Sequence, residues 1–191
     1  DLDGFRAAVD AGRPSVNTMA LIGHNSIRTL VMGDDRREPT DAELDSMRRH
    51  VELAMRQGAC GFSTGLIYRP GRWAQTDEVI ELAKEAAAGG GLYATHMRNE
   101  GDHLLAAVDE AIHIGRTAGL PVQISHHKSA GRRNWGRIGA SLAKVDAANA
   151  EGADITLDVY PYTAGSGPMA QYFDEDNDDP ETAEVTRFAS D

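Results

Sequence analysis

Two short apolar runs that each end in histidine, Leu92-Tyr-Ala-Thr-His96 and Val122-Gln-Ile-Ser-His126, limit what this chain can fold into more than any other feature. Between them, Asp102 to Ala118 has the length and apolar spacing of a helix and is closed by Gly119 and Pro121. Strand, helix and strand therefore follow one another in about 30 residues. Strands joined by a crossover helix run parallel, so both histidines sit at the same end of the sheet. In an α/β barrel that end is the C-terminal face, where strands pass into loops and chemistry is housed. Two imidazoles from neighbouring strands at that rim suggest a zinc site, with His96 and His126 as ligands.

The same alternation runs along the chain. Ser15 to Ile22 predicts a strand that passes into Gly23-His24-Asn25, and Ala59 to Thr64 predicts a second, followed by a turn-rich loop that carries Tyr68. A fifth strand is expected from Ala153 to Tyr160, where Ile155, Leu157 and Val159 alternate. Thr40-Asp-Ala-Glu43 has the form of a capping box, with Leu44, Met47, Val51 and Met55 on one face of the helix behind it. Further helices are expected from Thr76 to the glycines at 89 to 91 and from Ile138 to Ala150. Asp174 to Asp179 is acidic and reads as a surface loop.

Five parallel strands alternating with helices would gather His24, Tyr68, His96, His126 and Tyr160 at one rim. A doubly wound open sheet fits the alternation as well, but it places its ligand at a glycine-rich first turn or a switch point. Here polar groups recur after every strand. The fold expected is therefore a partial (β/α)8 TIM-type barrel, since five strands do not close an eight-stranded ring.

Composition narrows the partners. The chain has 191 residues and a net charge of −11, which argues against a basic nucleic-acid surface and against anionic membranes, leaving a small molecule. No apolar run approaches the roughly 20 residues of a membrane span. A single cysteine cannot build a disulfide framework, so a reducing, cytoplasmic location is expected. The opening Asp1-Leu-Asp-Gly-Phe reads as the interior of a longer protein.

By alternation, His96 shares parity with Leu92 and Ala94, and His126 with Val122 and Ile124, whereas His127 has the opposite parity. Lys128 and Arg98 each stand two residues beyond a proposed ligand, where a cation could bind a substrate carboxylate. His24 is a minor third candidate. Cys60, at the start of its strand, would lie roughly 10 Å from the rim and is expected to be a small buried residue. His103 and His113 fall on a helix and outside the site.

Five ordered motifs carry a family resemblance: Gly-His24-Asn-Ser-Ile-Arg, Gly-Phe-Ser-Thr-Gly-Leu-Ile-Tyr68, Tyr-Ala-Thr-His96-Met-Arg-Asn-Glu-Gly, Ile-Ser-His126-His-Lys128 and Asp-Val-Tyr160-Pro-Tyr-Thr-Ala-Gly-Ser. Over about residues 10 to 167 the chain resembles the N-acyl-D-amino-acid deacylases, or D-aminoacylases, of the amidohydrolase superfamily. The resemblance implies a Zn2+-dependent hydrolase that cleaves the amide of an N-acyl-D-amino acid to a carboxylate and a D-amino acid. His96 and His126 match the family's ligand histidines, and Lys128 and Tyr160 its substrate-binding lysine and tyrosine. The family's first-strand His-x-His pair, its ligand cysteine and its catalytic aspartate have no counterpart here, and Cys60 does not match the cysteine. Residues 1–191 are therefore expected to form the central portion of one barrel domain, with the general base outside the chain. A dihydroorotase-like or dipeptidase-like amidohydrolase, and an inactive barrel fragment serving as a binding module, are the alternatives.

Overall fold

The structure, a computed structural model, describes residues 1–165. The acidic stretch at 174–179 lies outside the described residues. Helices α1 (Leu2–Ala11), α2 (His24–Met32), α3 (Asp41–Arg56), α4 (Thr76–Ala88), α5 (Leu104–Ala118) and α6 (Ile138–Ala150) alternate with strands β1 (Leu21–Gly23), β2 (Gly61–Gly65), β3 (Leu92–His96), β4 (Val122–Ile124) and β5 (Ile155–Leu157), except that α2 and α3 both lie between β1 and β2. Thr40 caps α3 as expected: its hydroxyl accepts from the Glu43 amide and the Glu43 carboxylate accepts from the Thr40 amide. These bonds satisfy donors that the first helical turn leaves open.

The five strands form one parallel sheet in the order β1-β2-β3-β4-β5. Strand order that follows chain order has no switch point, and the helices neighbour one another in sequence, α2 on α3 through to α5 on α6. That is the winding of a barrel sector and differs from a doubly wound sheet, in which helices cover both faces.

Alternation divides the sheet into two unlike faces. Phe62 stacks on Tyr93 and meets His24 of α2 edge-on, and Val122 packs against Gly115 of α5. Phe62, Thr64, Tyr93, Thr95, Val122 and Ile124 therefore face the helices. The core lies between this face and the apolar stripes of the helices, with Met47, Val51, Val79, Leu82, Val108 and Ile114 buried. The opposite face carries Leu21 and Leu92 at its N-terminal edge and small or polar residues above them: Gly61, Ser63, Ala94, Gln123 and Thr156. Thr156 donates to Gln123 at 2.5 Å, and Gln123 donates to Asp158 at 2.7 Å, a polar ladder that climbs toward the C-terminal ends of the strands.

The strands are shorter than alternation predicts. Only Leu21–Gly23 of the first apolar run is paired, because β2 offers Gly61–Ser63 as its partners. The fourth strand ends at Ile124, and the chain turns before His126.

Close approach of β2 and β3 requires glycine at position 61. A Cβ there would stand 2.1 Å from the Leu92 carbonyl oxygen, and backbone cannot swing aside as a side chain can. Gly139, in the first turn of α6, meets nothing within 4 Å. Gly61→Ala is therefore expected to lower unfolding stability by about 1–3 kcal/mol or to prevent folding, as overpacking does. Gly139→Ala should be neutral or stabilise by up to about 1 kcal/mol. Urea denaturation of the two variants checks this, and equal losses would contradict the strand contact.

Candidate metal and substrate site

β3 delivers His96 as its last residue, on the face away from the helices. His126 arrives by another route. Val122 and Ile124 face the helices, so continued alternation would send His126 into the helix layer and not toward His96. The chain avoids this by a turn in which His126 adopts φ +40°, a left-handed conformation that histidine tolerates better than most residues. Asp158, just past β5, holds that turn: its Oδ1 accepts from the His126 amide at 2.7 Å, and its carbonyl accepts from the His127 amide at 2.7 Å. Gln123 steadies the other carboxylate oxygen. The equal parity read from sequence is corrected here: the two rings meet, but through this turn and not by shared alternation.

The two imidazoles meet at the rim with His96 Nδ1 2.9 Å from His126 Nε2 and ring centroids 4.4 Å apart. Two nitrogens about 2.05 Å from one tetrahedral zinc stand about 3.3 Å apart, so a small opening of the pair would admit the ion. Burial foremost, then the nearby charges of His126 and Lys128, pushes the His96 imidazole down to about 3. His96 is therefore neutral over the physiological range, the form that metal binding needs. Its Nε2 is buried with no hydrogen-bond partner among the described residues. With an ion on Nδ1, Nε2 would carry the ring proton. The two imidazole donors and the neutral state of His96 fit zinc.

Around the pair stand the other rim residues. Tyr68 lies with its ring 4.8 Å from that of His96, and Tyr160 6.4 Å from that of His126. Lys128 Nζ sits 2.9 Å from His126 Nδ1 and 5.4 Å from the Tyr160 ring centroid. Glu100 Oε1 accepts from Lys128 at 2.6 Å and lies 3.1 Å from His126 Nδ1. Glu100 and Asp158 were not singled out from sequence. Glu100 lies in a loop without periodicity, although it falls inside the Thr-His-Met-Arg-Asn-Glu-Gly motif. Asp158 likewise opens the Asp-Val-Tyr160 motif, but beyond that it gave only the signal of an acidic residue at a strand end.

Other expected residues lie elsewhere. Arg98 turns to the helix layer, where its guanidinium grips both carboxylate oxygens of Glu110 on α5 and the carbonyls of Arg72 and Ala74. Its donors join three segments, so the expectation that it meets a substrate carboxylate is corrected on geometry. His24 opens α2, fully buried, with Nε2 2.8 Å from Glu78 Oε1, and so is not a rim ligand. His127 is buried against Ser141 of α6, at 3.1 Å. Cys60 precedes β2 and donates to the Ala20 carbonyl; it is half-buried, more exposed than expected. His113 faces Thr117 on its own helix, and His103 precedes α5. A cavity of about 430 Å³ lined by Leu120, Pro121, Gly152 and Ala153 opens at the N-terminal ends of β4 and β5, away from the histidine pair.

Glu78 of α4 is buried between His24 and Arg28, both fully buried, and accepts from each. Burial pushes its carboxyl up, but the hydrogen bonds from His24 and Arg28 and their charges outweigh it, so the folded pKa lies below the ordinary value of 4.5. Such a group stabilises the fold above the unfolded pKa, and the contribution is lost as pH falls through the folded one. Glu78→Gln leaves Arg28 buried without its counter-charge and should cost about 3–5 kcal/mol at pH 7. In urea denaturation the gap between the two proteins should narrow below pH 4.5. A gap independent of pH would contradict an ionised Glu78.

Comparison with known proteins follows the same lines. No family model matches the chain. It is 46% identical over 170 residues to the D-aminoacylase of Alcaligenes xylosoxydans xylosoxydans, covering 89% of this chain and 34% of that protein. It is 44% identical over 166 residues to the N-acyl-D-glutamate deacylase of the same organism, covering 87% and 34%. The chain thus spans about a third of the length of the curated relatives it matches. Among solved structures, the N-acyl-D-glutamate deacylase of Bordetella bronchiseptica, complexed with zinc and a phosphonate mimic of the tetrahedral intermediate, superimposes with TM-score 0.79 at 46% identity, covering 82% of this chain and 33% of that one. Over the stretch it shares with these proteins, the chain belongs to the N-acyl-D-amino-acid deacylase (D-aminoacylase) family of amidohydrolases.

Proposed function

We propose that this chain is the central sector, residues 1–191, of one barrel domain in a zinc-dependent deacylase that hydrolyses N-acyl-D-amino acids to a carboxylate and a D-amino acid. The observation that carries the reading is the His96 Nδ1 and His126 Nε2 pair, facing at 2.9 Å on adjacent strand ends beside a lysine and two tyrosines. When bound there, zinc supplies Lewis acidity, which polarises an amide carbonyl and lowers the pKa of a water. The chain's own residues do the rest of what this sector contributes. Lys128 and Tyr160 present a cation and a phenol to the substrate carboxylate, which orients the amide toward the histidine pair. Tyr68 covers the outer side of His96. The general base lies outside this sector on this reading, and Arg98 acts by holding loops together. No helix among the described residues is long and apolar enough to cross a membrane. A cytoplasmic enzyme acting on a small molecule agrees with the single cysteine and the net charge of −11.

His126→Ala is expected to abolish most zinc uptake by the chain, while His127→Ala and Cys60→Ala leave it near wild type. Atomic absorption after dialysis against zinc checks this, and full zinc in His126→Ala would remove the assignment.

In the full-length enzyme, Lys128→Ala should weaken use of substrates with a free α-carboxylate by roughly 10- to 150-fold in kcat/KM. That is the weight of a charge-assisted hydrogen bond of about 1.5–3 kcal/mol. The matching carboxamides should lose less. Equal losses for both would mean that Lys128 supports the site without reading the carboxylate.

A further inference from the structure

Lys128 and Glu100 belong to different loops, one after β4 and one after β3, yet the Lys128 ammonium donates to Glu100 Oε1 at 2.6 Å. Where the ammonium sits therefore depends on what joins the two loops. The Ala130 amide donates to the Glu100 carbonyl at 2.8 Å, and Arg137 Nη1 donates to the Asp102 carbonyl at 2.6 Å. In sequence between these two ties stands Asn134, fully buried. Its Nδ2 donates to Asp102 Oδ1 and to the Ala130 carbonyl, both at 2.9 Å, so one amide group spans both loops. The Ser129 hydroxyl in turn donates to the Asn134 carbonyl at 2.5 Å. Asn134 Oδ1 has no hydrogen-bond partner among the described residues. A buried acceptor left open costs stability, so an apolar residue would fill this space at less cost. What an amide adds is its two N–H groups, and one reaches each loop.

We propose that Asn134 is a positioning residue for substrate recognition: through Asp102 and Ala130 it fixes the loop that presents Lys128 to the substrate carboxylate. This deepens the function proposed above and rests on the role given there to Lys128. The lysine is held between two fixed points. Before it, Asp158 accepts the His126 and His127 amides, and the His127 ring sits 3.1 Å from the Ser141 hydroxyl of α6. After it, the Ala130 peptide is bonded at its amide by Glu100 and at its carbonyl by Asn134. A cation whose place is set before binding orients a substrate without the entropy cost of ordering a mobile loop. Removing the Asn134 amide releases the later fixed point and leaves the turn at His126 intact. Substrate reading should therefore suffer while the histidine pair does not.

Steady-state kinetics of the full-length enzyme on an N-acyl-D-amino acid and on its α-carboxamide test this. Asn134→Ala should reduce the kcat/KM preference for the free acid by about 10-fold, since a misplacement of 1 Å can cost as much as 100-fold. Zinc content should stay at the wild-type level. Asp102→Ala, at a side chain only 30% exposed but outside the core, should shift the preference in the same direction and carries the test where Asn134→Ala does not fold. Lys128→Ala removes the group being placed, so Lys128→Ala combined with Asn134→Ala should lose no more preference than Lys128→Ala alone. Equal losses on both substrates in Asn134→Ala and Asp102→Ala, or additive losses in the double variant, would overturn the proposal. An unchanged preference in Lys128→Ala would overturn the role of the lysine and this inference with it. A loss confined to Lys128→Ala would leave the lysine standing and remove Asn134.

Discussion

The turn at His126 is the constraint on which the rim depends. A parallel strand that runs on in register would bury this side chain among helices, so the site exists because the backbone reverses the alternation within two residues of the strand end. A left-handed non-glycine residue costs on the order of 1–3 kcal/mol and persists only where its surroundings over-determine it. Asp158 supplies that determination: its carboxylate and carbonyl accept the His126 and His127 amides, while its own amide donates to Ile124 at 3.1 Å. The same turn separates two consecutive histidines, sending His127 to Ser141 in the helix layer and leaving His126 at the rim.

The remainder of the sheet serves this arrangement through its two unlike faces. Apolar burial on the helix side fixes the register of the strands, since a slip of one residue would expose Phe62, Tyr93 and Val122. With register fixed, Gly65 lies beside His96 and Thr95 beside Ile124, so the ends of β3 and β4 come level. The polar ladder from Thr156 through Gln123 to Asp158 then ties the inner face to the turn. On the helix side, Arg98 and Glu110, with Thr76 donating to the same carboxylate at 2.8 Å, fasten the loops beneath the rim. Charged residues near the site thus divide into those that hold loops and those that face the imidazoles.

Sequence carried the architecture because periodicity is a burial signal, and burial is what the helices and strands obey here. The helices behind Thr40 and Thr76 were legible for that reason, and the capping box at Thr40 from its own hydrogen-bonding pattern. The histidine pair was legible from its recurrence at two strand ends, although its parity was not, because alternation has no rule for a left-handed turn. Arg98 and Lys128 look alike in sequence, each two residues past one of the paired histidines, yet one finds Glu110 behind it and the other Glu100 beside it. Only the tertiary placement of two glutamates distinguishes them. Strand lengths were overestimated because apolar residues such as Val159 lie beyond the last hydrogen-bonded pair.

On the proposed reading, His96 Nδ1 and His126 Nε2 face one ion. X-ray absorption at the zinc edge of the chain reconstituted with zinc tests this most directly. Two imidazole nitrogens at about 2.0–2.1 Å, with their multiple-scattering signature, and oxygen in the remaining positions are expected. A sulfur shell at about 2.3 Å, which in this chain would implicate Cys60, or the absence of imidazole scattering would contradict it.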